Sequence, residues 1–207
     1  MAARDAMATP ISFPLSERST APHADAPTLD ADILVEAEEW RGRGDGEATV
    51  RAALDAAATY LNSQASPAFS SASPRPWPAP CRGRVALAVA LVDDATIRRL
   101  NRDFRGIDKP TNVLAFPAAP DLAAHAAPRQ LGDIAIAYGV TAREAEEAGK
   151  PFGHHLSHLA IHGFLHLLGH DHDHDDRADE MESLERAILA ELGIPDPYAA
   201  PVEAPTR

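Results

Sequence analysis

The chain has 207 residues and is 45% hydrophobic, enough for one domain with one ordinary core; its apolar runs fall far short of a bilayer span, so no membrane helix is expected. A single cysteine, Cys81, excludes an internal disulfide, and the N-terminus lacks the apolar stretch of a secretory signal, so a cytoplasmic protein is expected. The net charge of −12 argues against a general nucleic-acid binder, yet residues 81–118 hold seven basic residues against four acids, whereas 170–207 hold eleven acids against three arginines, so local charge favours a polyanion only in mid-chain.

Residues 1–30, rich in Ala, Pro, Ser and Asp without a period, read as a disordered leader. ADILVEAEEW (31–40) carries a short strand-like run, and EATVRAALDAAATYL (47–61) has helical spacing through Val50, Leu54, Ala57, Ala58 and Leu61. The Pro- and Ser-rich stretch 62–80 reads as an insertion loop. RVALAVALV (84–92) reads as a strand. DDATIRRLNRDF (93–104) reads as a helix, with Asp93 or Asp94 as N-cap and Ile97, Leu100 and Phe104 on one face. TNVLAF (111–116) reads as a strand, 121–130 as a loop, DIAIAYG (133–139) as a fourth strand and 141–149 as a short polar helix. Residues 153–169 form an apolar helix studded with histidines. Residues 177–193 form an amphipathic helix with Met181, Leu184, Ile188 and Leu192 on one stripe, and 199–207 form a flexible tail after a Pro-rich, frayed approach. The expected fold is α/β (α+β): a single mixed four-stranded sheet with helices, a histidine-bearing core helix and a zincin-like metal site, spanning 31–198.

Eight of the ten histidines lie between His154 and His174. In HGFLHLLGHDH (162–172), His162 and His166 are four apart and so share a helical face, where both rings can reach one ion. Gly169 is a natural helix end, after which the chain can return His172 to the same ion. Three protein ligands leave a fourth position for water, the arrangement of catalytic zinc, which brings the pKa of that water to about 7. The bland readings are hydrogen-bonded core histidines or a loose metal-scavenging tract; the apolar positions filling the rest of this helix disfavour a scavenger, and three ligands at fixed spacing with a turn glycine favour a metal site over either. His158, one turn before His162, either lines the site or caps the core; His170 reads as a turn residue, and His154, His155 and His174 as solvent-facing. Asp171 either orients a ligand imidazole or serves the turn. The spacing HxxxHxxGxxH is that of metzincin proteases, but those need Glu directly after the first histidine, where this chain has Gly163.

HGFLHLLGHDH closely resembles the signature of the YbeY family of single-strand-specific endoribonucleases. NRDFRGIDKPTNVLAFP (101–117), LGDIAIA (131–137) and MESLERAILAELGIPDPY (181–198) are similar to further motifs of that family, in the same order. The resemblance runs from about 31 to 198, outside the insertion 62–80. It implies a zinc-dependent endoribonuclease with one Zn2+ per chain held by His162, His166 and His172, and with Arg105 in the place of a functionally required arginine. It also implies a role in 16S rRNA 3′-end maturation and ribosome quality control, with single-stranded RNA and the small ribosomal subunit or its proteins as partners, and neither membrane nor DNA. His170 and Asn112 depart from the family's usual tyrosine and aspartate. Arg105 lies in the net-basic stretch, and a guanidinium can bind two phosphoryl oxygens. Arg98, Arg99 and Arg102 are candidates for backbone phosphates. The residues leave the general base open, as they do the choice between attack by water and by the RNA 2′-hydroxyl. The alternatives are a non-catalytic, zinc-containing ribosome assembly factor and a metal-dependent hydrolase of a non-RNA substrate.

Overall fold

Alternating apolar side chains build four strands: β1 (Thr28–Val35), β2 (Arg84–Val92), β3 (Val113–Pro117) and β4 (Arg129–Ala137). They form one sheet in the order β1-β2-β4-β3. β1, β2 and β4 run parallel, while β3 lies antiparallel along the edge of β4, with Leu114 opposite Ala135 and Ala115 opposite Ile134. The computed structural model describes residues 28–42, 45–64, 84–119, 128–170 and 175–199. Among these are six helices: α1 (Glu38–Gly42), α2 (Gly46–Gln64), α3 (Asp94–Arg105), α4 (Tyr138–Glu147), α5 (Phe152–Leu167) and α6 (Asp175–Glu191). The mixed α/β architecture with one four-stranded sheet is the one the sequence implies.

The period of two in β4 divides the interior. Ile134 and Ile136 join the larger core, with Val50 and Leu54 of α2, Leu156 and Phe164 of α5, and Met181 and Ile188 of α6. Ala135 and Ala137 face the opposite way, into a smaller cluster with Ile97 of α3 and Leu114. The two layers thus put α3 on one side of the edge strand and the histidine helix α5 on the other.

Local chemistry sets the boundaries. Asp93 caps α3 by accepting the Thr96 N–H at 2.6 Å. Gly106, at φ 74°, ends it, and the Gly106 N–H returns to the Arg102 carbonyl at 3.0 Å. α5 closes in a Schellman turn: the Gly169 N–H reaches the His166 carbonyl at 2.9 Å and the His170 N–H reaches Leu165 at 3.1 Å, with Gly169 at φ 86°. The expected role of Gly169 as helix end is met.

Several boundaries differ from the sequence expectation. β1 starts at Thr28, inside the expected leader, because parallel pairing to Arg84 extends it. Asn62–Gln64 still belong to α2, and residues 65–83, with Cys81 and most of the expected insertion, lie outside the described residues, as do 1–27, 120–127 and 200–207. β4 begins at Arg129 rather than 133, because an irregularity opposite Ala86/Leu87 and a φ of 136° at Gly132 carry the pairing through a polar stretch. It ends at Ala137, where Tyr138 and Gly139 start α4. Phe104 does not join the buried face of α3; it is 66% exposed, while Ile97 is fully buried. Ile194–Ala199 is held to the body: Lys150 Nζ donates to the Pro197 carbonyl at 2.6 Å, and Arg186 Nε lies 3.3 Å from Asp196. Among the described residues no helix is long and apolar enough to cross a membrane.

Candidate metal centre

α5 can lie close to the sheet because Gly163 faces it. A Cβ there would stand 3.0 Å from Ile134 Cγ2 and 3.4 Å from Val113 Cγ2. That contact sets the neighbours His162 and His166 at the rim, where both line a cleft of about 470 Å³. The same packing gives a second reason why a metzincin glutamate is missing: at 163 a long side chain would meet the sheet before it met a substrate.

The Nε2 atoms of His162 and His166 face each other at 3.2 Å. Two nitrogens about 2.0–2.1 Å from one tetrahedral ion stand about 3.3 Å apart, so the spacing of the pair is one that a shared metal ion could bridge. The ring of His162 is fixed from behind by Glu185 of α6, whose Oε1 lies 2.8 Å from Nδ1. His158 Nε2 lies 2.9 Å from the other oxygen, Oε2, and the Tyr198 hydroxyl donates to that same oxygen. Burial pushes the fully covered Glu185 carboxyl up, but the His158 and His162 hydrogen bonds outweigh it and hold the pKa at about 2. Glu185 is therefore an anion that only accepts. His162 must donate through Nδ1, which in the neutral ring leaves the Nε2 lone pair pointing at His166. Burial, and then the hydrogen bond to the same anion, hold the Tyr198 phenol well above its usual range. Carboxylate–histidine contacts of this kind fix the tautomer and orientation of metal ligands.

His158, His162 and Glu185 also place one ligand atom each within 4.8 Å of one another, and this His/His/Glu cluster could hold a metal ion. This cluster lines a second cleft of about 390 Å³ together with Tyr198, and its rings already hydrogen-bond to Glu185, whereas the His162–His166 pair opens onto the cleft that Arg105 also lines.

Arg105 comes from the last turn of α3 and reaches around the edge strand. Its Nη2 donates to the Ala115 carbonyl at 3.1 Å and its guanidinium lies 6.0 Å from the Phe116 ring centre. It lines the cleft with His162 and His166, and has no carboxylate partner among the described residues. Arg98 is held by Asp108 through two contacts of 2.8 and 2.9 Å, and Arg102 by Asp103 at 2.8 Å. Arg99 donates to Thr96 Oγ1.

His172, the expected third ligand, lies outside the described residues, as do Asp171 and His174. His170 is buried rather than a surface turn residue; burial holds its pKa below the usual value, and it lines the cleft. His155 is not solvent-facing either: its Nε2 lies 2.9 Å from Glu144 Oε2, and burial lowers its pKa despite that partner. Asn112 donates to the same Glu144 oxygen at 2.9 Å and accepts the Val113 N–H at 2.7 Å, so it anchors the start of β3. The sequence reading missed Glu185 and Tyr198. A signal was present: Glu185 lies four residues after Met181 and three before Ile188, an acid on the buried stripe.

A family model described as Endoribonuclease YbeY matches residues 77–193. The chain belongs to this family. A relative from Rhodopseudomonas palustris, an endoribonuclease YbeY, is 52% identical over 169 residues, 81% of this chain and 80% of its own. Relatives of the same description from Nitrobacter hamburgensis and Bradyrhizobium diazoefficiens are 51% and 52% identical, and each alignment covers 84% of the relative, with 84% and 81% of this chain. The family supports an endoribonuclease role and an RNA substrate.

Proposed function

We propose that this chain is a zinc-dependent, single-strand-specific endoribonuclease of 16S rRNA 3′-end maturation and ribosome quality control, acting in the cytoplasm with the small ribosomal subunit or its proteins. In this reading His162, His166 and His172 hold one zinc ion and Arg105 binds the scissile phosphate. The observation that carries it is the pair of Nε2 atoms 3.2 Å apart at the cleft rim, one backed by an anionic carboxylate.

Zinc, when bound there, polarises a phosphoryl oxygen and acidifies water. The chain's own groups do the rest. Glu185 holds the His162 ring in one orientation and tautomer, so its lone pair is presented without reorganisation. Arg105 offers a planar, permanently charged fork that can bind two phosphoryl oxygens and offset charge developing on them. Its present partner, a neutral carbonyl, holds it less tightly than a carboxylate would, so an arriving phosphate can compete. Arg105 in the cleft lining favours an anionic substrate, and Gly163 stands where a glutamate-base peptidase needs its base.

The reading is tested by cutting of a single-stranded rRNA fragment before and after chelation. Activity lost to the chelator and restored by about one zinc per chain is expected. Zinc-loaded protein that leaves such RNA intact, on ribosomal subunits as well as free, would refute the enzyme reading.

A further inference from the structure

We propose that Phe104, braced by Phe116, is a stacking platform for an unpaired nucleobase beside the cleft. This deepens, and rests on, the endoribonuclease reading above.

Phe104 is the most exposed large hydrophobic side chain among the described residues, at 66%. A single exposed apolar side chain is ordinary; what marks Phe104 is that it is held in place beside a residue that lines the cleft. It is not loosely placed. Phe104 ends on α3, one residue before Arg105, and meets Phe116 edge-to-face at 5.1 Å and 64°. Phe116 is itself half-buried against the cluster of Ile97 and Leu114. The platform therefore rests on packed structure, and ordering it on binding costs little further entropy.

Charge and continuity identify the occupant. In a chain of net charge −12, α3 carries four arginines against two acids; Arg98 and Arg102 are paired with Asp108 and Asp103, whereas Arg105 donates to a neutral carbonyl and keeps its charge for a phosphate. Arg105 joins the two surfaces: it lines the cleft with His162 and His166 and leans toward the Phe116 ring. The path from the histidine pair thus runs from a guanidinium to an aromatic pair. A nucleotide strand presents the same alternation, a phosphate and then a flat base. Duplex bases have both faces covered by their neighbours, so only an unpaired base can use Phe104. The platform would therefore contribute to preference for single strands, by stacking without reading a sequence.

The test walks 2-aminopurine through a single-stranded RNA oligonucleotide and records its fluorescence on rapid mixing with the zinc-loaded protein, before cutting. Wild type should quench the probe at one or two adjacent positions. Phe104→Ala should abolish that quench and raise Kd about 5- to 150-fold, the usual cost of losing one base–aromatic stack, whereas Phe104→Tyr should keep both near wild type. Both variants should melt within a few degrees of wild type, since the ring is largely exposed. If wild type binds and cuts the strand and Phe104→Ala binds and quenches as wild type does, the platform is refuted while the endoribonuclease reading stands. If Phe104→Ala loses activity only on ribosomal particles and not on free RNA, the surface serves a protein partner and the proposal is likewise overturned. If wild type neither binds nor cuts single-stranded RNA, both readings fall together.

Discussion

Glu185 Oε1 and His162 Nδ1 are 2.8 Å apart, and the two residues come from different helices. This contact couples the C-terminal helix to the rim of the cleft, because the other nitrogen of the same ring faces His166 at 3.2 Å. A residue 23 positions away in the chain thereby decides which way the Nε2 lone pair of His162 points.

Replacing that carboxylate should therefore weaken metal binding without touching the cleft. Glu185→Gln keeps the shape but removes the anion that fixes the tautomer. Zinc affinity measured by competitive titration should fall about 10- to 100-fold. An unchanged affinity would mean that His162 is oriented by something else.

Tyr198 serves the same carboxylate from the segment after α6. Tyr198→Phe leaves one oxygen of a buried anion with one fewer donor. A loss of about 1 kcal/mol is expected, below the usual range for bonds to charged groups because the tyrosine is partly exposed. Thermal unfolding with and without zinc checks this, and the loss should appear in both.

Much of this architecture is legible in the sequence, because periodicity reports burial. Arg84–Val92 alternates, Ile97 marks the inner face of α3, and the Gly169 turn ends α5 where the pattern breaks. The site is only partly legible. His162 and His166 are local neighbours on a helix, so spacing reveals them. Glu185 and Tyr198 join through tertiary packing, which no local period encodes, and an acid in an amphipathic helix ordinarily faces water. Phe104 shows the opposite failure: an apolar residue at helical spacing reads as core, yet the helix ends one residue later and the ring meets the flank of Phe116 on the edge strand while staying 66% exposed.

Gly132 permits the edge strand that forms the cleft wall. Its φ is 136°, and a Cβ there would stand 2.2 Å from the Phe116 carbonyl oxygen and 2.9 Å from the Ala118 nitrogen. Gly132→Ala must push backbone aside, not a flexible side chain. The cost should reach about 3 kcal/mol or more, at the top of the range for local strain, and chemical denaturation should show it. A variant as stable as wild type would mean that β3 pairs with β4 differently.

The pH dependence of stability has a defined contribution from the α3 cap. The Thr96 side-chain hydrogen bond, then its backbone N–H, hold the Asp93 carboxyl below its ordinary value of 3.8. A depressed folded-state pKa gives stability that is complete above the unfolded value and is lost as pH falls through the lower folded one. Asp93→Ala should therefore cost about 1 kcal/mol at neutral pH. The gap from wild type should narrow in unfolding curves taken below pH 3.8.

The central claim is that the metal sits between His162 and His166, facing Arg105, and is used to cut RNA. Its most direct test is zinc content measured together with cutting of single-stranded rRNA, for wild type, His166→Ala, His158→Ala and Arg105→Ala. The account predicts that His166→Ala loses both zinc and cutting, that Arg105→Ala keeps zinc and loses cutting, and that His158→Ala keeps its zinc. It is contradicted if His166→Ala retains a full complement of zinc while His158→Ala loses it, which would place the ion on the His158–His162–Glu185 side.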